Sequence, residues 1–446
     1  MFLSVIKEMK MFLILWIGQV FSIVGIGITS FALGVWVYIE TGSVTAYALI
    51  AFFALLPDII LSPVAGVFVD RWNKRKVMLI CDIAGAVIAF SLVTIVFVGQ
   101  LEIWYIYLAV GINSVFKAFQ WLGYYSSVSL LVPKQHFGRA GGLLQAGETF
   151  SKLLGPLLGA VFLELLGVKG VLILNLVTYS VAVISILMVK MSKAKPESTQ
   201  NLNFIQEMRD GFKYLFGLRG LVWLLVFFMC VNLSVGTLES LVTPLVLGFS
   251  NSQSLGYIMS ASGVGMLGGS MLISFWGGPK KGKINMIVIF GVIQGLLVVW
   301  VGLLPNLWSI GFALFGAMFC GSVMAGCSQA LWIATVSPDI QGRVFAIRGS
   351  VAWSTLPLAF VITGPLSDNI FEPLFRSEDN ILVNTVGAII GTGEGRGAAF
   401  IIIMAGIFII LITTLFLFNK KFRGIEGRLL DKTIDSADNK EETVGI

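Results

Sequence analysis

Charge is what this chain has least of. Asp, Glu, Lys and Arg make up only 12% of its 446 residues, the hydrophobic share is 57%, and the mean hydropathy is +0.92. Soluble domains carry about 25% charged residues, so the composition argues against a string of soluble domains and for the membrane class. Histidine is almost missing: His136 stands alone in a loop, far from any Cys pair, whereas a zinc centre needs several such ligands together. The four cysteines, Cys81, Cys230, Cys320 and Cys327, all lie inside apolar runs. Their spacing fits neither a metal motif nor a secreted disulfide framework, and a free Cys packs as a small hydrophobe. No metal and no cofactor is expected. The formal net charge of +6 is dispersed over short loops, which speaks against a nucleic-acid partner. GGPKKGK at 277–283 matches GxxxxGK, but Ile284 stands where a phosphate loop needs Ser or Thr, and a strand should precede it. No nucleotide is expected either.

Long apolar runs take the place of all this. A helix needs roughly 20 apolar residues to cross a bilayer, and twelve runs qualify: 11–39, 45–69, 77–99, 103–128, 140–165, 170–189, 221–248, 254–277, 284–303, 307–331, 344–370 and 397–418. The first is too long for a signal-peptide core and lacks a small-residue cleavage site. Fifty glycines suit close helix packing in lipid. If both ends face the cytoplasm, all but five of the 30 Lys and Arg (Lys117, Lys152, Lys169, Arg376 and Arg396) fall on the inner side, as the positive-inside rule requires. The expected organisation is a first bundle at 1–189, a linker at 190–220, a second bundle at 221–420 and a cytoplasmic tail at 421–446. In the linker, Phe204, Met208 and Phe212 recur at helical spacing and predict a helix lying on the membrane face. GTGEGRG at 391–397 reads as a flexible loop on the outer side, after an apolar piece at 380–390.

The two halves echo each other. LLVPKQHFGRAGG leads out of span four into span five, and TVSPDIQGRVFAIRG does the same between spans ten and eleven. Gly155-Pro156 is answered by Gly364-Pro365, and the charged turn at 66–76 has a worn counterpart in FWGGPKKGK at 275–283. Equivalent features in two six-span halves indicate a duplication, the build of carriers that rock two bundles about a site near the midplane. The fold class expected is an all-α membrane protein of two pseudo-symmetric six-helix bundles.

These residues resemble a known family. GVFVDRWNKRK between spans two and three, with Gly66, Asp70, Arg71, Arg75 and Lys76, resembles the first signature of the major facilitator superfamily. Gly155, Pro156 and Gly159 in span five resemble the antiporter signature of its drug/proton exchangers. Trp16, Gly18, Gln19 and Ser22, with Leu131-Val132-Pro133 and Gly342-Arg343-Val344-Phe345, resemble the macrolide-efflux-like branch. The resemblance covers nearly the whole chain. It implies a carrier that works as a monomer in the inner or plasma membrane. It also implies that Asp70 latches the halves against the start of span eleven, near Arg343 to Arg348. Physically, Asp70 ends a helix where an acid is disfavoured, so it needs a base or another helix's N-terminus. The family's span-four arginine falls at Asn113 here, and Lys117, one turn on, is the expected substitute. Lysine lacks the guanidinium fork.

Ionisable groups inside the membrane cost about 2.5–3.5 kcal/mol each on insertion scales and are functional candidates by default. Asp58 lies 12 residues before Asp70, roughly 18 Å into the membrane at 1.5 Å per residue. Glu148 and Lys152 are spaced for a helical ion pair. Asp82, two turns into span three, belongs with the cytoplasmic gate. The expected mechanism has Asp58 or Glu148 take a proton from outside and release it inside as the substrate binds, with Lys117 and Lys152 as partners. A mostly apolar cavity between spans one, four, seven and ten suits a bulky amphipathic ligand. Its candidate contacts are Gln19, Ser22, Gln120, Trp121, Asn232, Glu239, Gln329 and Trp332. The function expected is proton-coupled export of a drug-like small molecule. A siderophore, peptide or lipid exporter, or a proton-coupled importer, remains open. A membrane-embedded enzyme would need clustered His or acids that the sequence lacks.

Overall fold

A computed structural model describes residues 7–99, 101–191, 204–279, 281–336, 340–376 and 383–419. Among them there is no strand. The long helices are α1 (Lys10–Thr41), α2 (Val44–Arg71), α3 (Lys74–Val98), α4 (Ile103–Leu131) and α5 (Phe137–Met188). They continue with α6 (Phe204–Gly217), α7 (Arg219–Leu247), α8 (Ser252–Trp276), α9 (Lys283–Leu303) and α10 (Leu307–Thr335). The chain closes with α11 (Gln341–Trp353), α12 (Thr355–Leu366), two short helices α13 (Glu372–Arg376) and α14 (Ala388–Ile390), and α15 (Arg396–Phe418).

Local chemistry sets the ends. Ser43 caps α2 by accepting from the Ala46 N–H at 3.1 Å. Asn73 caps α3 on the Lys76 N–H at 3.3 Å. Asn306 caps α10 on the N–H groups of Trp308 and Ser309. Each satisfies donors that a helix start leaves free. Gly42 and Gly99 end α1 and α3 in the left-handed conformation, at φ 62° and 94°, which glycine adopts without strain.

The α5 element has 52 residues, far more than one crossing needs. Gly167, at φ 63° and ψ −175°, breaks it, and its contacts with α1 show a reversal. The Trp16 indole N–H donates to the Leu143 carbonyl at 2.6 Å, and Ser151 Oγ donates to the Ile23 carbonyl at 2.8 Å. Further along, Gly159 packs on Phe31. The two chains rise together there. Beyond Gly167 the order inverts, with Thr178 against Gly25 and Ser185 against Gly18. So Phe137–Met188 holds the two expected runs 140–165 and 170–189. Ten helices among the described residues are long and apolar enough to cross a membrane. That is two short of the expected twelve; the 29-residue α4, which carries Asn113, Lys117 and Gln120, is not among the ten, and α5 counts there once.

The chain forms two compact units. The first takes Met1–Thr199, Glu239–Gly263 and Phe360–Ala398, and the second Gln200–Leu238, Val264–Ala359 and Ala399–Ile446. The first unit has an apolar cluster at each end. One is built on Phe12, Leu15, Met78, Tyr124 and Ile186, the other on Leu33, Val37, Leu92, Ile106 and Leu172. Polar residues of the same helices lie between them. The second unit has a larger cluster around Phe227, Ile287, Met324, Trp332 and Val344. The linker helix α6 turns Leu215, 1% exposed, and Phe212 onto that cluster. The side chains of Phe204 and Met208 lie outside the described residues.

Candidate functional site

Pro57 has no N–H to give its helix, and its ring opens the preceding turn. Ser114 of α4 fills the opening: its Oγ accepts from the Asp58 N–H at 3.2 Å and donates to the Ala54 carbonyl at 2.7 Å. That carbonyl is the group an unbroken helix would pair with the Asp58 N–H. One turn beyond Ser114, Lys117 Nζ lies 3.4 Å from Asp58 Oδ2. Ser62 Oγ donates to the other carboxylate oxygen at 3.1 Å. The proline thus sets the aspartate, and α4 supplies both the patch for the broken helix and the counter-charge. Asp58 has no base nearby in sequence; its partner comes from a neighbouring span.

A second polar group stands between the same apolar clusters. Asp82 is fully buried. The Gln19 amide donates to Asp82 Oδ2 at 2.8 Å, the Gln120 amide donates to Asp82 Oδ1, and the same Gln120 nitrogen donates to Gln19 Oε1 at 3.1 Å. The three side chains close a ring across α1, α3 and α4. Beside it, Asn113 and Tyr179 exchange hydrogen bonds at 3.0 and 3.1 Å. A cavity of about 140 Å³ joins these groups; Lys117, Ser114, Asn113, Gln120 and Tyr179 all line it, as do Thr29 and Asn175. Thr29 Oγ1 and Asn175 Oδ1 are buried without a protein partner. Buried polar atoms normally find one, and the cavity is large enough to admit water.

The other expected coupling residues sit on α5. Gln145 donates to Glu148 Oε2 at 3.3 Å. Lys152 lies near enough to Glu239 of α7 to act on it electrostatically, an influence across helices that the i, i+4 spacing within span five does not show. Gly155 and Gly159 serve close packing: a Cβ on Gly155 would meet the Gly27 backbone at 3.0 Å, and one on Gly159 would meet the Ile28 carbonyl at the same distance. Ala160 and the Pro156 carbonyl in turn press on Gly256 of α8.

In the charged turn, Arg75 is committed to the end of α5. Its Nε donates to the Ile186 carbonyl at 3.1 Å and its Nη2 to the Leu187 carbonyl at 2.8 Å. A cation on the last carbonyls of a helix complements its dipole. A Cβ on Gly66 would meet nothing within 4 Å. Lys76 is exposed, and the side chains of Asp70, Arg71 and Arg343 lie outside the described residues. The opposite ends of the same helices are in view. Asp368, just past α12, accepts from Ser43 Oγ at 2.7 Å and from the Val44 and Thr45 N–H groups at 2.9 Å each. Gly364 there packs on the Thr45 backbone. Thr243 Oγ1 donates to Tyr47 OH at 3.0 Å, and Ser260 Oγ to the Leu153 carbonyl at 2.8 Å.

Of the expected substrate contacts, Gln19 and Gln120 are spent on Asp82, while buried Ser22 Oγ has no partner. Trp121 packs against Tyr125 with ring centroids 4.6 Å apart and the planes tilted by 56°. In the second unit, Arg348 Nη1 donates to Gln329 Oε1 at 2.6 Å and the guanidinium lies 4.9 Å over the Trp332 ring. Asn232 donates to the Ala352 carbonyl at 2.9 Å. Ser114 and Asp368 were missed as site residues, and Arg348 was expected at the inner latch rather than on Gln329 and Trp332. Arg348 reads in sequence as one more inner-side base. Asp368 obeys the argument made for Asp70, an acid at a helix end needing another helix's start. Ser114 carries no local signal. The loop 391–397 is tied rather than free: Glu372 accepts from the Gly395 and Ala398 N–H groups, and the Arg396 guanidinium donates to the Ile390 carbonyl.

A family model described as Major Facilitator Superfamily matches residues 15–361. Macrolide efflux protein A of Streptococcus pyogenes is 26% identical over 375 residues, covering 80% of this chain and 90% of that protein. Macrolide efflux protein A of Enterococcus faecalis is 27% identical over 319 residues, covering 68% of this chain and 95% of that one. Among solved structures, the nucleoside transporter NupG superposes with a TM-score of 0.68 at 14% identity, covering 91% of this chain and 98% of that chain.

Proposed function

The chain belongs to the Major Facilitator Superfamily and is a multi-pass membrane transporter; from that premise we propose that it exports an amphipathic, macrolide-like molecule from the cell in exchange for protons. The observation that carries the exchange is the Asp58–Lys117 pair, two opposite charges 3.4 Å apart beside a polar cavity in otherwise apolar helices. Such groups in a membrane helix mark an ion or proton path. The substrate class rests on the two relatives named for macrolide efflux, most of whose length this chain covers.

Both chain ends lie in the cytoplasm of this scheme, and the membrane is the cell membrane. A proton arriving from outside neutralises Asp58 and leaves Lys117 without its counter-charge. The lone ammonium favours the arrangement open to the inside, where the proton departs, Asp58 recaptures Lys117 and the substrate binds. Glu148, Lys152 and Glu239 form a second charged group whose balance the substrate can alter. Trp121, Asn232, Gln329 and Trp332 supply the flat and amide surfaces for an amphipathic ligand. The Asp70 turn and Arg343 govern the inner mouth.

Inside-out vesicles with an acid lumen test this. A labelled macrolide should accumulate in the lumen, the lumen should become less acid as it does, and a protonophore should abolish both. Accumulation that ignores the protonophore would overturn proton exchange. Accumulation only in right-side-out vesicles would make the protein an importer.

A further inference from the structure

We propose that Asp82 is a second proton-binding residue of the carrier, and that its neutralisation loosens the ring tying α1, α3 and α4. Its purpose rests on the proton-exchange reading; its chemistry does not. The ring is a closed count of donors and acceptors. One atom of the Gln120 amide faces both Asp82 Oδ1 and Gln19 Oε1, and the other end of the Gln19 amide faces Asp82 Oδ2. With the carboxylate ionised, all three contacts join a donor to an acceptor. Once a proton adds to either oxygen, the ring is weakened. If Gln120 presents nitrogen, both carboxyl oxygens must still accept, the hydroxyl oxygen is the poorer acceptor, and its O–H finds no acceptor within the ring. If it presents oxygen, Gln19 must turn its nitrogen to it, and then both carboxyl oxygens must donate, which one proton cannot provide. Neutral Asp82 therefore loosens the ring at one oxygen, and with it the contact among three helices.

The surroundings support a proton in this place. Gln120 and Lys117 line the same cavity, which sets the ring and the Asp58 pair on one shared space. Ser22, three residues from Gln19 on α1 and on the same helix face, is buried with an unpartnered hydroxyl. The ionisable groups around Asp82 are few. Its own helix offers Cys81. The far part of α5 offers Tyr179, whose hydroxyl is paired with Asn113. From α4 comes Lys117, which Asp58 holds. The ionisable residues of α1, namely Lys10, Tyr38 and Glu40, are confined to its ends. No cation pairs with Asp82 among the described residues. The step itself is a simple one: a proton from cavity water adds to a carboxylate oxygen, and no other bond forms or breaks.

Asp82→Asn has the same shape and fails the same count, since one amide cannot offer two acceptors or two donors. It should behave as the permanently loosened ring. The test is infrared difference spectroscopy on purified protein during acidification, with transport measured in parallel. One carboxylic-acid carbonyl band, present in the wild type and in Asp58→Asn, should be missing from Asp82→Asn, where the bands of other carboxyls, Asp58 among them, persist. Asp82→Asn should also lose the response of transport to a pH gradient. An Asp82→Asn spectrum that keeps every wild-type band, or a wild-type gradient response there, overturns the inference. Gln120→Leu, which removes one donor and keeps the acid, should shift the pH at which the band appears; no shift also overturns it. Wild-type vesicles that ignore the gradient would refute proton exchange, and the carbonyl band would still decide Asp82.

Discussion

Asp58 and Lys117 touch, but their side chains are 23% and 52% exposed, and that exposure separates stability from transport. A solvated ion pair contributes about 0–1 kcal/mol. Asp58→Asn should therefore lower the melting temperature little while abolishing the response of uptake to a pH gradient. Lys117→Met combined with it should not restore coupling. A large melting shift with coupling intact would mean that the pair only braces α2 against α4. Ser114→Ala should cost more in stability, about 1 kcal/mol per hydrogen bond lost, because two backbone groups at the Pro57 break lose their partner. The residue scale is also where the sequence was least informative. Asp58, Lys117 and Asp82 stand out as charges in apolar runs, so their presence was legible. Which of them meet was not, because Lys117 and Gln120 reach α2 and α3 through tertiary packing that leaves no periodic trace.

At the scale of elements the sequence reads well, because lipid imposes simple rules: run length, capping residues and glycine. The expected boundaries of α1, α3, α9 and α15 lie within a few residues of those observed. The reversal inside Phe137–Met188 was legible as two runs separated at 166–169, where Gly167 takes its left-handed turn. The Gly155-Pro156 signature resolves here into contact: helix backbones meet where Gly27 faces Gly155. Gly155→Val should overpack that contact by about 1–3 kcal/mol, read as a lower melting temperature in detergent. Gly66→Ala should leave the melting temperature unchanged, since a Cβ there meets nothing within 4 Å. Transport lost in a stable Gly66→Ala protein would place the need for that glycine in another arrangement of the carrier.

For the molecule as a whole, α2 is held at its start by Asp368. Three hydrogen bonds from a helix start to one carboxylate combine a cap with a favourable charge at the dipole's positive end. Asp368→Asn should weaken this contact by about 0.5–2 kcal/mol, and spin labels near Val44 and Leu366 should show a longer-distance population that the wild type lacks. An unchanged distance distribution would make the contact incidental to the transport cycle. The membrane class was legible from spacing alone. The Asp368 contact was not, since it joins residues 324 positions apart. In the proposed exchange, substrate and proton exclude each other on this chain. That exclusion is read as proton release when a macrolide is added to the purified protein in weakly buffered solution. Release should saturate with the substrate and be reduced in Asp58→Asn. Saturable substrate binding with no proton released would contradict it.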